Sequence, residues 1–157
     1  MKKTLCFICP DCHLEQFITN KYGENIFFAT ALGAVFNFDD INFSKSLNDL
    51  IVRESITEIF IINDTSCRFI NDVLNKGEGF GSCSEYALNK LLICNNSIAA
   101  NNETIIFKKK ALAELNIKRQ INEIRKDKIF LPQNIENKIN IKGIVFTKAE
   151  NIAIELN

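Results

Sequence analysis

Three of the chain's six cysteines, its only histidine, one of its two prolines and a carboxylate fall in one run, Cys6-Phe7-Ile8-Cys9-Pro10-Asp11-Cys12-His13. Thiolate, imidazole and carboxylate are the donors that hold zinc, and a low-pKa thiol is also a redox nucleophile. A second group, Asp64-Thr65-Ser66-Cys67, offers a carboxylate and a thiol further on. Several readings stand side by side. Cys9 and Cys12 form a Cys-x-x-Cys, the spacing of a redox dithiol. The even spacing of Cys6, Cys9 and Cys12 suggests a zinc knuckle. Against that, Cys6 and Cys9 face opposite sides of a strand, and no second ligand pair follows. Cys6, Cys83 and Cys94 are expected to be small apolar core residues. Asp64 suits a metal ligand and an N-terminal helix cap equally. His13 reads better as an exposed or hydrogen-bonded residue than as a ligand, and Cys67 facing Cys9 suits a thiol pair or a disulfide.

Strands must bring these groups together. Residues 4–9 form a continuous apolar run ended by Pro10, the mark of a strand buried on both faces. Residues 25–29 and 58–63 repeat the pattern. Between them lie a short helix near residues 13–18, stopped by Asn20 and Gly23, and a helix over 46–52 capped by Ser44 or Ser46. Gly33 marks a turn or a close backbone approach. Residues 67–74 and 84–94 read as helices, with Leu88, Leu91 and Leu92 on one side of the latter. Residues 112–128 hold the longest helical period. Residues 139–146 and 151–156 then make two strands around a polar turn.

Strands alternating with helices predict an α/β fold, a mostly parallel β-sheet with helices on both faces and a C-terminal strand hairpin. Sites in such sheets lie at the C-terminal strand ends, where Cys9 and Asp64 both fall. If the two strands are neighbours, these groups converge.

At 157 residues, 46% apolar and 24% charged, one globular domain over residues 1–157 is expected. A net charge of +0 gives no general attraction to nucleic acid or anionic membrane. Lys108-Lys109-Lys110 reads as solvated surface. The apolar run after Met1-Lys2-Lys3 is too short for a leader, and no stretch reaches a membrane span. The expected location is the cytoplasm, where cysteines stay reduced. Gly77, Gly79 and Gly81 match neither a dinucleotide fingerprint nor a phosphate loop.

Taken in order, the motifs resemble those of the β-class carbonic anhydrases. That family carries Cys-x-Asp-x-Arg after one strand and His-x-x-Cys after a later one. Here Cys9-Pro10-Asp11-Cys12-His13 and Asp64-Thr65-Ser66-Cys67 stand in those places. Tyr22-Gly23-Glu24-Asn25-Ile26-Phe27, Ala31-Leu32-Gly33, Ser46-Leu47, Leu115-Asn116-Ile117-Lys118-Arg119-Gln120-Ile121 and Ile141-Lys142-Gly143-Ile144-Val145-Phe146 resemble further segments. The resemblance spans about residues 4–156.

The resemblance implies a β-carbonic-anhydrase-like fold, a homodimer, and zinc on Cys9, Asp64 and Cys67, with Asp11 as the retained catalytic acid. Asp64 replaces the family's histidine and His13 its arginine, so no Asp–Arg pair is expected to draw Asp11 away from the metal. A Cys₂Asp₂ site on Cys9, Asp11, Asp64 and Cys67 follows by analogy. The family's N-terminal helical arm is expected to be lacking, since the chain opens at its first strand. The function expected is that of a carbonic-anhydrase-like protein with a degenerate zinc site, inactive or weakly active. The alternatives are a zinc-dependent carbonate dehydratase with altered ligands and a thiol redox protein using Cys9 and Cys12.

Overall fold

Five strands form one sheet in the order β2-β1-β3-β4-β5: β1 Thr4–Ile8, β2 Ile26–Thr30, β3 Glu58–Asp64, β4 Asn140–Thr147 and β5 Ile152–Leu156. They are seen in a computed structural model that describes residues 2–75, 79, 81–96, 98, 104–132 and 138–156. β1 to β4 run parallel, and β5 returns antiparallel as the expected hairpin. Every residue of the central β1 is buried. β1 pairs directly with β3, Leu5 opposite Ile59 and Phe7 opposite Ile61, so the two strands that lead into the cysteine turns are neighbours.

Side-chain alternation assigns the two faces. Phe60 and Phe146 share one face, met by helix α1 (Glu15–Tyr22), whose Tyr22 and Phe17 rings lie 5.2 and 6.0 Å from theirs. Phe7, Ile61 and Gly143 share the other face. There the long helix α5 (Ile105–Lys126) crosses β4, and Ile117 fills the space a side chain at 143 would need. Phe7 anchors an aromatic cluster on this face, with Phe36 edge-on at 4.8 Å and Phe130 at 6.0 Å.

Helix ends depart from the sequence expectations where capping chemistry decides. Helix α2 spans Ile41–Glu54, and its cap is Asp40, which accepts from the backbone N–H groups of Asn42 and Phe43 at 2.9 and 3.2 Å. Ser44 is instead buried and donates to the Phe38 carbonyl and Asp127. Ser46 donates back to the Asn42 carbonyl, inside the helix. Thr104 caps α5, which therefore starts seven residues before the periodic stretch. Its first turn hid from the pattern because Ile105, Ile106 and Phe107 are exposed. Helices α3 (Arg68–Asn75) and α4 (Cys83–Cys94) lie between β3 and α5 in sequence, α4 opening on a reciprocal Ser82–Glu85 capping box. Cys6 is core as expected, but Cys83 and Cys94 are exposed at the two ends of α4. Gly77 lies outside the described residues.

Candidate metal centre

Parallel pairing places the C-terminal ends of β1 and β3 on one edge of the sheet, and each ends in a tight turn. After β1, Pro10 opens a short 3₁₀ turn, Pro10–Cys12, in which Cys12 N–H reaches the Cys9 carbonyl at 3.2 Å. His13 closes it in the left-handed region at φ 50°. That tight winding turns Cys12 inward and leaves Asp11 and His13 exposed. After β3, the Cys67 N–H returns to the Asp64 carbonyl at 3.0 Å, and α3 begins at the next residue.

The two turns bring the sulfurs of Cys9, Cys12 and Cys67 within 4.8 Å of one another, and all three residues are buried. Four-coordinate zinc with Zn–S bonds of about 2.3 Å sets sulfurs about 3.8 Å apart, a separation that lies inside the 4.8 Å span of the cluster. Asp64 does not join the group. Both of its oxygens are engaged by Ser66, one accepting from the backbone N–H at 2.9 Å and the other from the hydroxyl at 2.8 Å. What is on view is a local turn onto Ser66, with neither a helix cap nor a metal ligand role. Cys12, named in the sequence only as half of a redox pair or a knuckle, supplies the third sulfur. Its signal was present in the Cys-Pro-x-Cys spacing, because a proline-initiated 3₁₀ turn returns the fourth residue toward the first.

Electrostatics divide the thiols unevenly. Cys9 is held far below the ordinary thiol pKa by hydrogen bonds from Cys12 and then Cys67, with backbone donors adding to them against the cost of burial. One of those donors is Gly33, whose N–H reaches the Cys9 sulfur at 3.2 Å. Cys12 is raised by its hydrogen bonds to Cys67 and Cys9 and by burial. For Cys67 the Cys12 hydrogen bond pulls downward, but bonding to Cys9, burial and the Cys9 charge prevail and push it up to about 12. The hydrogen bonds within the cluster thus favour the charged form on Cys9 over the other two thiols.

Gly33 is itself fixed from behind. Its carbonyl accepts from Asn63 and Asn116 side chains, each at 3.2 Å, so a strand-end residue and a helix residue jointly aim its N–H at Cys9. Its φ of 65° is left-handed, and an added Cβ would sit 3.3 Å from both Leu88 Cδ1 and Phe69 Cβ. Gly33→Ala is expected to cost about 1–3 kcal/mol through backbone strain and crowding. A thermal melt would read this as a Tm lower by about 2–4 °C per kcal/mol in a chain of this size.

Asp11 has a partner that the sequence concealed. The Arg68 guanidinium meets both of its oxygens, Nε at 3.2 Å from Oδ2 and Nη2 at 3.3 Å from Oδ1. This corrects the expectation that no Asp–Arg pair exists. The arginine is absent at position 13 and arrives instead from the first residue of α3, across the junction of the two turns. His13, exposed on the outer side of its turn, is not among the clustered groups. Lys148 closes the same end of the sheet by donating to the Cys12 carbonyl at 3.1 Å.

No family model and no curated protein sequence matches the chain. Solved structures do. The β-carbonic anhydrase CafD of the filamentous fungus Aspergillus fumigatus is similar at a TM-score of 0.82 and 21% identity, over 100% of this chain and 90% of that one. CafA of the same fungus gives 0.82 at 16% identity, over 99% and 76%. A Coccomyxa β-carbonic anhydrase in complex with acetazolamide gives 0.79 at 16%, over 99% and 72%. At these identities the likeness concerns architecture, and on it the chain has a β-carbonic-anhydrase-like α/β fold.

Proposed function

We propose that this is a carbonic-anhydrase-like zinc-binding protein in which Cys9, Cys12 and Cys67 replace the family's two-thiolate, one-imidazole ligand set. The observation that carries the reading is the convergence of three buried sulfurs while Asp64 is engaged by Ser66. Cys12 thereby takes the place that the resemblance had given to Asp64. A zinc ion in such a fold supplies a water made acidic enough to act as a nucleophile near neutral pH. Every further property belongs to the chain. Three thiolates carry one more negative charge than two thiolates and an imidazole, which opposes that acidification. Carbon dioxide hydration is therefore weak or lost, and the site is degenerate in this electrostatic sense. Six free cysteines suit a reducing compartment such as the cytoplasm.

One observation favours the alternative of a working dehydratase. Asp11, the retained acid, is held by two hydrogen bonds from Arg68, which keeps its carboxylate from serving as a fourth protein ligand. Arg68→Ala is expected to change global stability by less than about 1 kcal/mol, since both partners are partly exposed. Its effect is expected instead in the absorption spectrum of the cobalt-substituted protein, as Asp11 becomes free to bind. An unchanged cobalt spectrum would remove the gating role.

Self-association completes the proposal. The Sordaria macrospora β-carbonic anhydrases of similar fold are described as tetrameric, and here edge strand β5 exposes Ile152 and Ile154. A second copy is the partner we assign, as a homodimer. Metal analysis of protein purified without added zinc tests the central reading. Roughly one zinc per chain is expected, and a metal-free protein that takes up none on dialysis against zinc would sink it. A hydration assay on the zinc-loaded protein then separates the weak site from the working one.

A further inference from the structure

We propose that the Cys9–Cys12–Cys67 cluster is a site for thiophilic ions that take three sulfur ligands and no fourth, trivalent arsenic being the probe of that class. The inference rests on the three-thiol reading above and deepens it by naming the ligand chemistry the donor set selects. Four observations support it. Among the described residues the group that converges contains sulfur alone, with no imidazole or carboxylate within the same 4.8 Å. The two nearest acids in sequence are engaged elsewhere, Asp64 by Ser66 and Asp11 by Arg68. The sulfurs come from two turns fixed by a parallel strand pair, so three donors are assembled before any ion arrives. Cys9 and Cys67 are each 1% exposed and Cys12 7%, so all three sulfurs are withdrawn from bulk solvent.

Soft thiolate donors favour soft acceptors, and donor number then separates ions of similar softness. Zinc in a three-sulfur site lacks one ligand; a three-coordinate ion lacks none. Preassembly adds to the affinity by removing the ordering cost that a flexible peptide with three cysteines would bear. For arsenous acid the exchange balances without any change of oxidation state. Three As–O bonds break and three As–S bonds form, and each thiol proton leaves with a hydroxyl as water.

The test uses the full reduced chain, stripped of zinc, titrated with arsenite and read by intact-protein mass and by ultraviolet thiolate-to-arsenic absorption. Zinc binding is measured separately on the same preparation. A mass gain of one arsenic less three protons is expected, with loss of three titratable thiols and resistance to equimolar zinc. Cys12→Ser should weaken arsenite at least about a hundredfold, whereas Cys83→Ser/Cys94→Ser, which alters only the exposed thiols, should leave it unchanged. Zinc bound but no arsenic adduct overturns this inference and leaves the zinc reading standing. Arsenic bound in preference, with no zinc uptake, supports the inference and overturns the zinc reading. An adduct that survives Cys12→Ser, or vanishes in Cys83→Ser/Cys94→Ser, places the arsenic on other thiols and overturns the proposal.

Discussion

Cys12→Ser is expected to empty the zinc site, whereas Asp64→Asn is expected to keep it filled. Structural zinc sites bind with about 10–16 kcal/mol of apparent free energy, so each of three thiolates accounts for roughly 3–5 kcal/mol. Loss of one should lower affinity by about two to four orders of magnitude. Asp64→Asn removes a charge but leaves an oxygen for one of the two Ser66 donors. Its cost should appear in stability, at about 1–2 kcal/mol for the impaired buried contact. A zinc titration against a competing chromophoric chelator, beside a chemical melt, reads both quantities. The opposite pattern, with zinc lost from Asp64→Asn and retained in Cys12→Ser, would restore the ligand set that the family resemblance implies.

The sheet was legible because its inner strands β1 and β3 are buried on both faces and so read as apolar runs, within residues 4–9 and 58–63. The site edge followed from that, since Cys9 and Cys67 both come just after such runs and sites gather at those ends. The Cys-Pro-x-Cys spacing hinted that Cys12 returns toward Cys9, but chain order alone did not decide which side chains each turn faces inward. A proline-initiated 3₁₀ turn rotates Cys12 into the core and His13 out, and residue type alone makes the histidine, not Cys12, look like the third ligand. Arg68 was hidden for a related reason. It belongs to no motif, and its reach to Asp11 exists only because two strands 50 residues apart are hydrogen-bonded neighbours. Cys83 and Cys94 misled in the other direction. Composition makes cysteine a core residue on average, but both sit at the ends of a helix whose buried face passes through Leu88.

Restoring the imidazole should restore hydration. In a chain carrying both Asp64→His and Cys12→Ser, the ligand set becomes two thiolates and one neutral donor, at the place where the resemblance puts a histidine. The ligand set then carries one negative charge fewer, and the neighbouring Asp64 carboxylate is gone as well. A unit charge about 4 Å away contributes about 4 kcal/mol at an effective dielectric near 20, or about three pKa units in the acidity of water at the open position. Zinc-loaded double variant should therefore hydrate carbon dioxide up to about a thousandfold faster than the zinc-loaded wild type near neutral pH. Cys12→Ser alone, with only two thiolates left, supplies the control for zinc loss. Asp64→His alone, which retains all three sulfurs, separates the loss of the Asp64 carboxylate from the loss of a thiolate ligand. Arg68 enters here as well, because on the proposed reading its hold on Asp11 keeps that carboxylate off the metal. Adding Arg68→Ala to the double variant should remove much of the gain while zinc stays bound. If the double variant binds zinc stoichiometrically and hydrates no faster than wild type, ligand charge is not what limits this site. The loss would then lie in the pocket around it rather than in the thiols that Cys12 completes.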